Sequence, residues 1–353
     1  MLLILTIGEL RMTEILVIGG AGYIGSHMVK LLHRSGFSVV VLDDLSGGFR
    51  DSVRNAELII SPVADSDLLD SLFARHQFSA VMHFASFIQV GESVKEPDKY
   101  YANNLVSTLT LLDAMCKANI SCFIFSSTAA VYGNPDYVPI DENHPKLPIN
   151  PYGRSKWMVE QVLQDYDIAY GLKSICLRYF NAAGADPEGE LGERHVPETH
   201  LIPLVLQTTS GRRKYISIFG SDYDTPDGTC IRDYIHVSDL CDAHLLALQH
   251  LLNGSKSARF NLGNGQGFSV KEVIETARRV TGYEIAVRHE PRRMGDPPRL
   301  VADSRLAREV LGWKPQRADL ATIIADAWTW EQKYPWGDGV TIPPASAFLR
   351  NIE

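Results

Sequence analysis

Tyr152 and Lys156 stand four residues apart in the run Asn150-Pro151-Tyr152-Gly153-Arg154-Ser155-Lys156. On a helix that spacing is about one turn, so phenol and amine can point along one face. A free tyrosine has a pKa near 10 and is a poor base at neutral pH. A neighbouring ammonium favours the phenolate, and a second cation would favour it further. Bringing the phenol to a pKa of ~7 takes about 4 kcal/mol of differential stabilisation, which two close cations can supply in a partly dry site. A Tyr-x-x-x-Lys pair alone is common on helix surfaces and carries little weight. Ser126-Ser127-Thr128 adds to it, because the triplet closes an apolar run that reads as a strand. At the carboxyl edge of such a strand Thr128 can share a hydrogen bond with a substrate hydroxyl and the tyrosine. Taken by itself, Thr128 would be no more than a strand-end cap.

Upstream lies Gly19-Gly20-Ala21-Gly22-Tyr23-Ile24-Gly25. Gly20-x-Gly22-x-x-Gly25 follows an apolar run (residues 14–19) and opens a helical pattern, the setting that a dinucleotide-binding turn requires. Glycine lets the backbone approach a pyrophosphate, and the helix start offers unpaired N–H groups and a positive dipole end. Asp43 closes the next apolar run about 20 residues on, where a carboxylate can accept from the adenosine ribose hydroxyls. Asp44 adds a second negative charge and no arginine follows at once. A 2′-phosphate would be repelled, so NAD is expected in preference to NADP. A nicotinamide ring then supplies the second cation near Tyr152, and Lys156 can also hold the nicotinamide ribose.

The elements around these residues alternate. Short Val/Ile-rich strands are expected at 14–19, 38–42, 57–60, 80–84, 121–126 and 172–179. Helical spacing is seen at 23–35, 67–75, 99–117 and 153–170. That rhythm implies an α/β protein with a Rossmann-type, doubly wound parallel sheet. After Phe180 the rhythm breaks. A Gly/Pro-rich, charged loop is expected over 181–200, then helices at 201–208, 239–252 and 270–281 and a strand at 215–219. The division that follows is a dinucleotide-binding domain at 12–180, with a return segment near 231–240, and a smaller α/β substrate domain at 181–345. Residues 1–11 read as an extension, with Met12 as the true start, since the apolar opening has no basic region and no cleavage pattern.

The net charge of −8 argues against a nucleic-acid partner. No apolar stretch reaches membrane-span length, so no membrane partner is expected. The five cysteines are odd in number and lack CxxC spacing. They read as free thiols of a reducing, cytoplasmic setting. The 11 histidines form no HExxH, and no metal site is expected.

Further segments carry a resemblance. They are Gly22-Tyr23-Ile24-Gly25-Ser26, His83-Phe84-Ala85, Phe125-Ser126-Ser127-Thr128-Ala129-Ala130-Val131-Tyr132-Gly133, Pro151-Tyr152-Gly153-x-Ser155-Lys156 and Arg178-Tyr179-Phe180-Asn181. In the second half stand Ile218-Phe219-Gly220, Asp227-Gly228-Thr229, Arg232-Asp233-Tyr234-Ile235-His236-Val237, Asn261-Leu262-Gly263 and Pro291-Arg292-Arg293-x-Gly295-Asp296. The chain so resembles the extended short-chain dehydrogenase/reductase superfamily, and within it the sugar-nucleotide 4-epimerases, from about Met12 to near Trp336. The resemblance implies that Tyr152 takes the proton of a sugar 4-hydroxyl while C4 gives a hydride to NAD. Lys156 would tune the tyrosine and Thr128 would orient the hydroxyl. It implies cofactor contacts from Gly19, Gly22, Tyr23, Ile24, Gly25, Asp43, Asp44, Phe84, Ala85, Asn103, Ser126, Tyr152, Lys156 and Tyr179. It assigns the UDP-sugar to Thr128, Asn181, Leu201, Phe219, Arg232, Arg293, Asp296 and Leu300. Arg232 and Arg293 would take the diphosphate, since guanidinium forks suit phosphate oxygens. Helices 99–117 and 153–170 would pair across a homodimer axis.

Departures from the family pattern matter as well. Pro62 replaces a frequent acidic residue near the adenine, and Ile88 a frequent lysine near the cofactor phosphates, so cofactor binding is expected to be weaker or rearranged. Leu300 stands where some relatives close the sugar pocket with tyrosine, so N-acetylated UDP-hexoses are expected to fit beside UDP-glucose and UDP-galactose. Ala129-Ala130 replaces the Asp-Glu pair that a 4,6-dehydratase uses to eliminate water. Epimerases of UDP-pentoses or UDP-uronates stay open. A non-catalytic NAD-binding regulator is the reading from another class, and it has no use for Thr128, Tyr152 and Lys156 together.

Overall fold

The computed structural model describes residues 13–293 and 296–333. The expected extension at 1–11, Met12, Gly295 and the end of the expected substrate domain lie outside the described residues. Along the chain, β1 (Glu14–Ile18), α1 (Tyr23–Arg34), β2 (Ser38–Asp43), β3 (Glu57–Ile60), α2 (Ser66–Arg75) and β4 (Phe78–His83) come first. Next are α3 (Val90–Lys95), α4 (Pro97–Tyr101), α5 (Ser107–Lys117), β5 (Cys122–Thr128), α6 (Pro151–Tyr170) and β6 (Lys173–Tyr179). The second half holds β7 (Asn181–Ala183), α7 (Leu201–Thr209), β8 (Ile216–Phe219), β9 (Ile231–His236), α8 (Val237–Leu252) and β10 (Ala258–Leu262). It closes with β11 (Gly267–Ser269), α9 (Val270–Thr281), β12 (Val287–Glu290), β13 (Arg299–Leu300), α10 (Arg305–Leu311) and α11 (Leu320–Lys333).

Seven parallel strands form one sheet in the order β10-β6-β5-β4-β1-β2-β3. The order reverses between β1 and β4, which opens a crevice beyond their carboxyl ends. β1, β2, β4, β5 and β6 are almost wholly buried because helices cover both faces. α1, α8 and α10 contribute to the apolar layer on one face, while α2, α5 and α6 contribute to the other. The fold is therefore the expected doubly wound α/β arrangement.

Three local differences have physical causes. The segment 181–200 is not all loop: β7 pairs with β9 in a second sheet that also holds β11 and β13. The expected return at 231–240 divides in two. β9 stays in that second sheet, and the chain comes back with α8 and with β10, which adds a seventh strand beside β6. The helix expected over 99–117 is broken by a π-turn at Ala102–Val106. There the Asn104 amide is drawn out of helical register to hold both main-chain groups of Phe87, at 2.9 and 3.0 Å, and to reach Ser155 Oγ at 3.2 Å. Such turns bend a helix to aim side chains at a site.

The second lobe has its own core, in which Val205, Ile218, Val273, Ile323 and Trp328 meet. All five cysteines are free. No helix among the described residues is long and apolar enough to cross a membrane.

One buried ion pair fastens α6 to β6. Arg178 Nη2 lies 2.5 Å from Glu160 Oε2, and both side chains are shielded from solvent. Ser127 Oγ donates to Glu160 at 2.5 Å, and Arg178 Nη1 donates to the Tyr132 hydroxyl at 2.9 Å. Removing one partner strands the other charge. Glu160→Ala is expected to cost about 3–5 kcal/mol, seen as a lower urea midpoint; an unchanged midpoint would mean that water reaches Arg178.

Candidate active site

The glycine turn is built by close approach. Gly19 has φ +78°, and a Cβ there would lie 2.4 Å from the Ala85 nitrogen. A Cβ on Gly25 would lie 2.1 Å from the Gly19 carbonyl oxygen. Only hydrogen fits at either position, so β1, the Phe84-Ala85 backbone and α1 press together around the turn. Gly22 caps α1 in extended conformation, which leaves the first N–H groups of α1 at the crevice. Asp43 Oδ2 accepts from Ala21 N–H at 2.9 Å and Oδ1 from Leu45 N–H at 2.8 Å. Its pKa is pushed up, by burial first, with these amides working against it. Asp44 is exposed and folds back onto Ser46. This cradle fits a dinucleotide: it is bare of side chains, carries a helix start, and ends in a fixed carboxylate.

The side chains of four predicted contacts are engaged within the protein. The Tyr23 ring is buried and its hydroxyl donates to the Gly184 carbonyl at 2.7 Å, so only its backbone faces the turn. Ile24 packs into the layer beneath the sheet. Phe84 packs in that layer too, its ring 5.0 Å from that of His244. Asn103 donates to Asn104 Oδ1 at 3.0 Å within the π-turn. Ile88 is exposed, and so is Pro62.

α6 brings the catalytic candidates to the end of β5. Asn150 caps the helix through Gly153 N–H at 2.8 Å, and Pro151 fills its first position. A Cβ on Gly153 would stand 2.6 Å from the Ala130 carbonyl oxygen. Glycine therefore lets the helix start press on the turn that follows Thr128. Thr128 Oγ1 caps that turn through Ala130 N–H at 3.1 Å. Burial pushes the Tyr152 phenol above its usual pKa, and a hydrogen bond with the Thr128 hydroxyl draws it back. Lys156 Nζ donates to the Ser126 carbonyl at 2.9 Å and sits 4.8 Å from the centre of the Phe125 ring. Burial lowers its pKa to about 7. Burial likewise pushes Tyr179 up, with the Ser126 hydroxyl working against it.

These directions correct the expectation that Lys156 by itself favours the phenolate. In the protein alone burial drives both groups toward neutrality, since a charge on either is costly in a dry site. Sequence reasoning also missed His83 and Asn104. His83 is buried under the site, its pKa lowered to about 3 by burial and then by Lys156. Asn104 holds Phe87 and Ser155 and so fixes the wall opposite α6.

The substrate candidates fall into two groups. Arg293 and Asp296 line a cleft of about 610 Å3 with Asn134, Tyr137, Tyr223 and Arg292. Arg232 forms an ion pair with Asp296, and the Arg293 guanidinium lies 3.9 Å over the Phe219 ring. Leu300 pairs in register with Arg232 and packs against Ala129, Val131 and Tyr132, just past Thr128. That contact joins the cleft to the catalytic turn. Asn181 and Leu201 lie outside the cleft lining. The Asn181 amide donates to the Asp233 carbonyl at 2.8 Å, and Leu201 packs into the second-lobe core.

A sequence model of the NAD dependent epimerase/dehydratase family matches residues 15–263. The chain belongs to that family. It is 51% identical over 323 residues to the UDP-glucose 4-epimerase of Halalkalibacterium halodurans, covering 92% of this chain and 97% of that one. It is 52% identical over 320 residues to the UDP-glucose 4-epimerase of Rhizobium meliloti, covering 91% and 97%. The crystal structure of UDP-glucose 4-epimerase from Brucella ovis in complex with NAD superposes with a TM-score of 0.88 at 48% identity, covering 90% and 97%.

The depressed Lys156 pKa has a consequence for stability. The unfolded chain holds its lysine proton up to a pH of about 10.4, the folded chain only to about 7. Burial of the amine therefore costs most below pH 7, and the cost fades as pH rises toward the unfolded value. Lys156→Met is expected to raise the urea midpoint over wild type at a pH of about 6, with the advantage shrinking by a pH of about 9.5. A pH-independent difference would contradict a neutralised amine.

Proposed function

We propose that the chain is an isomerase that interconverts UDP-glucose and UDP-galactose by reversible oxidation at sugar C4, with NAD held along the glycine turn. The observation that carries this reading is the meeting of Tyr152 with Thr128 at the end of β5, beside Lys156 anchored on Ser126. NAD, when bound, accepts the C4 hydride and returns it. The chain's own residues handle the proton. Tyr152 takes it from the 4-hydroxyl, which Thr128 orients, and gives it back when the ketone is reduced. Between the two events the 4-keto sugar turns about its diphosphate link and presents its other face.

That turn requires a firm grip on the nucleotide and a loose one on the hexose. Arg232 and Arg293 are assigned to the diphosphate, Asp296 to the uridine ribose, and Phe219, Asn181 and Leu201 to the uracil and diphosphate. The Arg232–Asp296 ion pair supports the assignment, since phosphate oxygens can compete with the carboxylate for the guanidinium. Asp43 and the exposed Asp44 favour NAD over NADP. Residues 12–180 carry the cofactor, joined by α8 and β10, and 181–345 carry mainly the UDP-sugar. The pocket beside Leu300 is wide enough in this reading for N-acetylated UDP-hexoses.

Purified protein mixed separately with UDP-galactose, UDP-N-acetylgalactosamine and UDP-xylose, with products resolved, tests the assignment. The hexoses should be epimerised. Tyr152→Phe should lose at least three orders of magnitude in kcat, on the order of what acid–base catalysis supplies, while keeping its bound NAD. Full activity of that variant would overturn the mechanism, and a zero rate on the N-acetylated sugar beside UDP-galactose turnover would remove the wider pocket.

We further infer a cytoplasmic homodimer. Apolar side chains of the two long helices stand in solvent, with Val106 at 54%, Met158 at 39% and Ile168 at 80% exposure. Tyr166 donates to Asp113 at 2.5 Å and holds α6 against α5, so the two helices present one surface. Sedimentation should find a dimer in wild type and a monomer in Val106→Glu/Ile168→Arg; a monomeric wild type at micromolar concentration would refute it.

A further inference from the structure

Away from Tyr152, a second cavity of about 710 Å3 opens between the loop after β2 and the start of α7. Its wall contains Glu193, His195 and Glu198, and His200 completes the group. One ligand atom from each of these four side chains lies within 4.8 Å of every other. The individual separations are more telling. His200 Nδ1 is 2.7 Å from Glu193 Oε1 and 3.1 Å from Glu198 Oε1. His195 Nδ1 is 3.2 Å from Glu193 Oε1 and 3.5 Å from Glu198 Oε2. Four ligands around a tetrahedral zinc ion, at bonds of 2.0–2.2 Å, stand about 3.3 Å from one another.

Ion pairing alone accounts for His200, whose Nδ1 hydrogen-bonds with Glu198 Oε1 at 3.1 Å, but less well for His195. A protonated imidazole in an ion pair aims its N–H at one oxygen. The buried His195 Nδ1 has no aligned hydrogen-bond partner, although it faces two carboxylates. His200 Nδ1 likewise faces both carboxylates, at 2.7 Å from Glu193 and 3.1 Å from Glu198. Glu193 is buried. Without a metal the two carboxylates raise the pKa of both imidazoles, against burial, to about 9 for His195 and about 10 for His200; a divalent ion would take the place of those two protons at the same net charge. The nearby guanidinium groups are engaged elsewhere: Arg194 pairs with Asp51 and Arg212 with Glu331. An outer layer is present too. Glu198 Oε1 accepts from the N–H groups of Thr199 at 2.7 Å and His200 at 2.8 Å, which fixes the carboxylate and leaves Oε2 free to bind.

We propose that Glu193, His195, Glu198 and His200 bind one divalent cation of the zinc class. All four donors come from the protein, so the site is structural. Its place in the fold gives it a task. His200 caps α7 directly before Leu201, and the His195 ring meets the Tyr23 ring edge-on with centroids 6.4 Å apart. The cation would stiffen the loop ahead of α7, and the loop meets the helix after the glycine turn through the His195–Tyr23 ring contact. No metal site was expected, although Glu193-x-His195-x-x-Glu198-x-His200 stands in one short run of the chain.

The test uses full-length protein purified without metal-affinity chromatography from zinc-supplemented cells. Elemental analysis should find about one zinc per chain. After chelation, cobalt(II) should restore visible bands of the intensity that four-coordinate geometry gives, and zinc should raise the thermal midpoint. His195→Ala/His200→Ala should lose the metal and the midpoint shift. If that variant does not fold, the cobalt spectrum of wild type decides. Metal-free wild type at saturating zinc, a six-coordinate cobalt spectrum, or equal zinc in wild type and variant would each overturn the proposal.

Discussion

The active site depends on the burial of one amine. Lys156 sits against the Phe125 ring with its nitrogen on the Ser126 carbonyl, and burial brings its pKa to about 7. Holding an amine there requires α6 to pack hard on the end of β5. Gly153 permits that approach, Asn150 starts the helix at the right residue, and the Arg178–Glu160 pair anchors its middle turn. Tyr152 arrives at Thr128 as a result. Both titrating groups are poised toward neutrality, so the charge that arrives with ligands has a large effect on them.

The second lobe is coupled to this site through few contacts. Leu300 packs on the turn after Thr128 and pairs with Arg232 in the same strand register. Arg232 in turn engages Asp296, which lines the cleft. One strand pair thus connects the turn after Thr128 to the arginine that engages Asp296 of the cleft. The histidine–glutamate group does a similar job on the other side, between α1 and α7. The two lobes meet at two places around the crevice.

Much of this was legible in the chain because it rests on local rules. β3 and α9 match their expected bounds, and the other Rossmann strands fall within two residues of theirs at each end. Short β-branched Val/Ile runs closed by glycine or aspartate favour strands buried on both faces, and glycine spacing reports where backbones must touch. Gly19 and Gly25 meet that reading at contact distance. Other elements escaped it. No strand was expected at β10, and its pairing with β6 puts that segment in the large sheet. The π-turn at Ala102–Val106 is invisible to periodicity, because it follows from Asn104 reaching Phe87, 17 residues away.

By itself the sequence determined the doubly wound fold and the dinucleotide turn and singled out Thr128, Tyr152 and Lys156 as candidates, since helix spacing, strand patterning and glycine conformation are properties of neighbouring residues. Tertiary structure alone decided the protonation tendencies of that set and the pairing of Arg232 with Asp296. Those depend on burial and on which distant groups share a small volume. Neither is written in any stretch of chain until the sheet has brought the stretches together.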